Sequence, residues 1–283
     1  MLHSRPTAIQ RHPRSSRPLL LRQFAPADHE LTVLIPAYNE QGRLGPTLAQ
    51  LERFLDNTAI DYRILVIDDG SQDETAAITD DRGYRLSTLR LPGHRGKGAA
   101  VRAGMLAATG AVVAFTDADL PYDLQSLIQG YEYIRDGRCE IVFGARDLGE
   151  VVAQASRRLS RRVSTVLFRY FVSSLISRDV TDTQCGLKLF ARKAALNIFL
   201  QTTVDGFAFD AEVVYLTHQL NISYCRIPVS LINEYSSSLS LSRDALPMVR
   251  DVLKVRYSGW KSIAKMVVHD LPAEPAFTSR RAA

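Results

Sequence analysis

Two aspartates separated by one small residue, Asp117-Ala118-Asp119, stand directly after the apolar run Ala111 to Phe115. On an extended segment alternate positions face the same way, so both carboxylates can approach one hard cation. Mg2+ or Mn2+ suits such a pair and completes its shell with water and substrate phosphate. An aspartate after a strand can equally be a turn or helix cap. The preceding buried strand favours the metal.

A second cluster, Gly93-His94-Arg95-Gly96-Lys97-Gly98, has glycines that let backbone amides approach phosphate and a lysine that adds charge. The Walker pattern requires glycine at 91 and Ser or Thr at 98, where Leu91 and Gly98 stand. The dinucleotide pattern lacks its strand and spacing. A flexible basic loop ahead of a helix, placed at a diphosphate, is the expectation left beside that of a plain turn.

Three further polar clusters follow apolar runs: Pro36-Ala37-Tyr38-Asn39-Glu40, Asp68-Asp69-Gly70-Ser71-Gln72-Asp73 and Gly144-Ala145-Arg146-Asp147. Carboxylates crowded at converging strand ends repel one another unless cations compensate them, which is easier to explain by a ligand than by packing. An alcohol acceptor would need a general base, for which Asp182 and Asp210 are candidates. Each has a structural alternative, Asp182 capping the segment after Val180 and Asp210 capping a helix near Ala211. Arg157, Arg158, Arg161 and Arg162 open an amphipathic stretch, where i+3 and i+4 spacing lets at least three converge on an anion or line a solvated face.

These residues need strand ends and helix starts to hold them. Leu31 to Ile35, Ile64 to Ile67, Ala111 to Phe115 and Ile141 to Phe143 read as buried strands. Helical periods lie between them: Leu44, Leu48, Leu51 and Leu55 form one stripe, and Ala99 to Ala108 and Leu124 to Ile134 give two more helices. Ser71 and Glu74 have capping-box spacing, which predicts another helix start. Such alternation implies an α/β fold with a mostly parallel sheet covered by helices, and ligands then bind at the carboxyl edge of the strands. The second half reads as mainly helical, with helices near 155–177, 191–200 and 208–220. The chain therefore divides into an arm at 1–30, a nucleotide-binding α/β region at 31–150, an acceptor and catalytic region at 151–265, and a flexible tail at 266–283.

Composition narrows the partners. The formal charge is +5, but the first 27 residues hold five arginines and no acid, so the remainder sums to zero. That proline-broken segment is a disordered basic arm, suited to solvent or anionic headgroups, and nothing else points to nucleic acid. Leu19 to Leu21 is too short for a signal core, and no run reaches the roughly 18 apolar residues of a spanning helix. Val163 to Ser177 has an amphipathic stripe broken by Arg169. Cys139, Cys185 and Cys225 are scattered, with no CxxC, HExxH or GxSxG pattern. A cytoplasmic protein with peripheral membrane contact is the expectation; its oligomeric state is open.

The ordered run Pro36 to Glu40, Asp68 to Ser71, Arg95-Gly96-Lys97-Gly98-Ala99-Ala100-Val101 and Asp117 to Asp119 resembles the inverting glycosyltransferase family 2, with a GT-A fold. Thr181 to Phe190 and Gly206 to Glu212 are similar to the polyprenyl-phosphate branch, above all its dolichyl-phosphate β-glucosyltransferases. The resemblance implies that Pro36, Tyr38 and Glu40 line the nucleotide pocket, and that Asp68 or Asp69 meets uracil or ribose. It implies that Asp117 and Asp119 serve metal and diphosphate, and that Arg146, Arg157 and Arg158 hold the phosphate of a polyprenyl acceptor; by its charge, Lys97 could stabilise the leaving diphosphate together with the ion. UDP-glucose is the implied donor. Two features depart from the pattern: Pro121 stands where mannosyl relatives carry a glutamine ligand, and the membrane helices of other members are missing.

Overall fold

Leu31, Val33, Leu34 and Ile35 are wholly enclosed, as a strand covered on both faces requires, and they form the centre of β1 (His29–Ala37). The computed structural model describes residues 27–79, 83–148, 182–230, 232 and 241–257. The basic arm, Arg157, Arg158 and the stretch 155–177 lie outside the described residues, as does the tail.

On one side of β1 lie the parallel strands β2 (Tyr62–Asp68) and β3 (Leu86–Arg90). On the other lies β4 (Gly110–Phe115), also parallel. The sheet continues through β5 (Ile141–Ala145), β6 (Lys188–Ala191) and β7 (Tyr224–Pro228), in the spatial order β3-β2-β1-β4-β6-β5-β7. Only β6 runs antiparallel to its neighbours β4 and β5. Residues on either side of position 150 thus share one sheet, mostly parallel as expected.

Alternation along β1 sends side chains to both faces. Leu31, Val33 and Ile35 pack with α1 (Leu44–Asp56) and α3 (Leu124–Arg135). Leu34 packs on the opposite side with α2 (Lys97–Ala107), α4 (Arg192–Phe199), α5 (Phe209–Gln219) and α6 (Leu241–Tyr257). The predicted stripe Leu44, Leu48, Leu51 and Leu55 is fully buried. At the start of α3 the Asp123 carboxylate accepts the Gln125 amide and caps the helix.

Three strands and one turn differ from expectation. β3 is a half-exposed edge strand without an apolar run, β6 opens on a lysine, and β7 contains Arg226 and ends in Pro228, so none carries a buried-strand pattern. The helix predicted at Ser71 is absent. Turns lead there to one 3-10 turn, Ala77–Thr79. The reason is that Ser71, Asp73 and Thr75 spend their side chains on the loop after β1, not on a helix of their own.

Candidate functional site

β1, β2 and β4 all end at one edge of the sheet, and their polar extensions interlock. The amides of Asn39 and Glu40 donate to Ser71 Oγ and Thr75 Oγ1 at 3.0 and 2.8 Å, while Asn39 Oδ1 accepts from the Gln72 amide. Asn39 tolerates the left-handed backbone this needs, with φ of 54°.

Asp68 and Asp69, expected against uracil or ribose, have their carboxylates engaged with protein groups. Asp68 is fully buried, accepts the Ser71 amide at 2.8 Å and faces Arg90 Nε at 3.1 Å. Asp69 accepts the Arg95 and Gly96 amides at 2.9 and 2.8 Å and lies 2.8 Å from His94 Nδ1. His94 in turn stacks on Tyr38, with centroids 3.8 Å apart, so the expected pocket residue Tyr38 presents an exposed aromatic ring there.

The loop 93–98, expected to be flexible, is tied to the end of β2 by these bonds. Besides Asp69, Asp205 holds it through Arg95 at 3.1 Å and also pairs with Arg102 of the following helix. Gly70, with φ of +72°, allows the two loops to touch, since a Cβ there would lie 2.5 Å from Gly93 backbone.

Asp117 and Lys97 meet at this edge of the sheet, with Nζ 2.5 Å from Oδ1. Burial would lower the Lys97 pKa, but the charges of Asp117 and Asp210 outweigh it and the ammonium is raised above its ordinary range. Asp119 is shifted upward by burial first and then by the charge of Asp117. Glu40 is raised by burial, with Asp119 adding to it and Arg43, 2.8 Å away, opposing. Asp210 is buried and raised by desolvation, partly offset by Lys188, whose Nζ donates to it and to the Cys185 carbonyl, each at 2.6 Å.

Arg146 and Asp182 face each other. Nε and Nη2 of Arg146 donate to the two carboxylate oxygens at 2.8 and 2.6 Å, and the Arg146 amide donates to Oδ2 at 3.0 Å. The Asp182 side chain is only 1% exposed, so it offers a substrate no open base. Arg146, expected at an acceptor phosphate, keeps a quarter of its side chain exposed.

A family model for glycosyl transferase family 2 matches residues 32–199. The chain belongs to that family. It is 32% identical to dolichyl-phosphate β-glucosyltransferase of Dictyostelium discoideum over 85% of this chain and 78% of that one. To the enzyme of that name in Drosophila melanogaster it is 34% identical, covering 80% and 74%, and to the human one 30%, covering 80% and 75%. Among solved structures, glucosyl-3-phosphoglycerate synthase of Mycobacterium tuberculosis, in complex with Mn2+, UDP and glucosyl-3-phosphoglycerate, aligns with a TM-score of 0.55 at 19% identity, covering 88% of this chain and 86% of that one. At that identity the likeness speaks to the fold, and the α/β architecture of this glycosyltransferase is accordingly GT-A-like.

Does the carboxylate pair fit a cation? The upward shift of Asp119 by Asp117 is repulsion that a divalent ion would relieve, and both residues offer the hard oxygens Mg2+ or Mn2+ prefers. Among the described residues no group of three His, Cys, Asp or Glu is arranged for a metal. Asp117 and Asp119 are the described carboxylates that would hold such an ion.

Sequence reasoning missed Lys188 and Gly186. A Cβ on Gly186 would lie 2.2 Å from Asp117 Oδ2, so this glycine determines where the carboxylate sits. Gly186→Ala is expected to push Asp117 aside and lower kcat/KM for transfer roughly a hundredfold, the scale of a 1 Å misplacement. Steady-state kinetics of a variant with unchanged circular dichroism checks this, and near-native turnover would free Asp117 from Gly186. The only sequence signal was a glycine within Thr181 to Phe190.

Proposed function

We propose that this glycosyltransferase moves glucose from UDP-glucose to the phosphate of a polyprenyl lipid, with inversion at the anomeric carbon. The observation that carries the proposal is the cluster of Asp117, Asp119 and Lys97 at the carboxyl edge of the sheet, in a chain whose relatives are named for glucosyl transfer to dolichyl phosphate.

Asp117 and Asp119 would hold a divalent ion, which would supply Lewis-acid stabilisation to the leaving diphosphate. Lys97 adds a point charge to the same leaving group. Tyr38, stacked on His94, offers the donor base an aromatic face, with Pro36 at the end of β1 and Glu40 in the loop that follows. Asp69 fixes His94 and the 93–98 loop, so its effect on the nucleotide is indirect. A lipid phosphate is already an anion and needs positioning, not deprotonation, which agrees with Asp182 and Asp210 being held in ion pairs. Arg146 at its exposed edge, with Arg157 and Arg158, would hold that phosphate. No described helix is long and apolar enough to cross a membrane.

The test offers UDP-glucose or GDP-mannose with Mn2+, and polyprenyl phosphate or a simple sugar alcohol as acceptor, with products read by mass spectrometry and anomeric configuration by NMR. UDP-glucose with polyprenyl phosphate is expected to give a β-linked product. Transfer to the alcohol alone would replace the lipid with a water-soluble acceptor, and preference for the guanine nucleotide would overturn the donor.

A further inference from the structure

We propose that Lys97 occupies the cation's place at Asp117 until a diphosphate draws its ammonium away, so that metal and nucleotide load together. This rests on the metal-assisted reading of Asp117 and Asp119 given above and adds an order to it.

The geometry is one of competition. Lys97 Nζ sits 2.5 Å from Asp117 Oδ1, and the two side chains are only 21% and 30% exposed. On its other oxygen Asp117 is walled by Gly186. A divalent ion bonds carboxylate oxygen at about 2.0–2.1 Å, so ion and ammonium sharing Oδ1 would lie within roughly 4.6 Å of each other, three positive charges in a half-enclosed cleft. One must leave.

Lys97 is built to be the one that moves. Its backbone is fixed, because Gly96 and Gly98 approach the carbonyls of Asp205 and Val204 too closely for a side chain, and the Gly96 amide is bound to Asp69. Its four-carbon stem has rotatable bonds that the backbone anchoring does not fix, and an ammonium pairs with phosphate as readily as with carboxylate. Asp210 acts on Lys97 by its charge but already pairs with Lys188 at 2.6 Å. The donor diphosphate is the anion that arrives with the substrate.

The experiment titrates Mn2+ into the full chain, reading free Mn2+ by electron paramagnetic resonance, for wild type, Lys97→Met, Lys97→Gln and Arg43→Gln, each with and without UDP. Arg43 is a charge control, because it reaches Asp119 electrostatically while pairing with Glu40. Without nucleotide, both Lys97 variants are expected to bind Mn2+ five- to a hundredfold more tightly than wild type, a coupling of ordinary size. Arg43→Gln should change affinity less than about threefold. With UDP present, the advantage of the Lys97 variants should shrink. Unchanged or weaker Mn2+ binding in both folded Lys97 variants overturns the inference, as does equal tightening by Arg43→Gln, which would make the effect bulk charge. Wild type that fails to bind Mn2+ even with UDP would instead remove the metal reading itself.

Discussion

Asp119→Ala is expected to reduce transfer about a thousandfold or more while leaving the fold intact and, without metal, slightly more stable. The first half follows from the role proposed for the pair. A Lewis acid at the leaving diphosphate supplies several kcal/mol of charge stabilisation, and each 1.36 kcal/mol is a factor of ten. The second half follows from the direction of the pKa shift. Burial and the charge of Asp117 raise Asp119, so the folded state binds its proton more tightly than the unfolded chain does. A group raised in this way supports the fold below its ordinary pKa and loses that support as pH rises through the shifted value. At neutral pH the ionised side chain is a liability that alanine removes. Activity across a Mn2+ titration, beside thermal melts at pH 5 and 7.5 without metal, checks both halves. Turnover close to wild type would sink the metal assignment; a large loss of melting temperature would make Asp119 a support of the fold.

The parts of this site legible in the sequence are those where a single segment carries the pattern. Asp117 and Asp119 follow a fully apolar strand, and the four-leucine stripe of α1 repeats at the helical period, so both announce themselves locally. What the sequence hides is pairing across distance. Lys188 reads as a charge interrupting an apolar run, yet its side chain is buried and its ammonium lies over the Phe115 ring and meets Asp210, 22 residues away. Ser71 and Glu74 satisfy a capping box on paper, but the loop after β1 competes for the same groups, with the Glu74 amide donating to Gln41 Oε1. The same blindness governs Asp69, whose three partners fall at positions 94 to 96. Local propensity is read one segment at a time, and these side chains are assigned by the partner loop.

Asp182 shows the consequence for function most directly. As a general base it would have to present an open carboxylate, and its replacement would cost turnover without cost to the fold. The structure gives it three N–H donors from Arg146 and almost no exposure. Burial would lower the Arg146 pKa, but the Asp182 hydrogen bond and charge overcome it and hold the guanidinium firmly protonated. Removing one partner of such a pair strands the other charge, which costs about 3–5 kcal/mol. Against a total stability of about 5–15 kcal/mol that is a large fraction. Asp182→Ala is therefore expected to lower the urea midpoint sharply, and Asp182→Asn, which keeps one acceptor oxygen for the fork, should lose less. Urea unfolding followed by circular dichroism, with turnover measured well below each midpoint, separates the two roles. A stable Asp182→Ala protein with transfer abolished would return the residue to catalysis; an unstable one, active at low temperature, makes it the anchor that aims Arg146 along the end of β5.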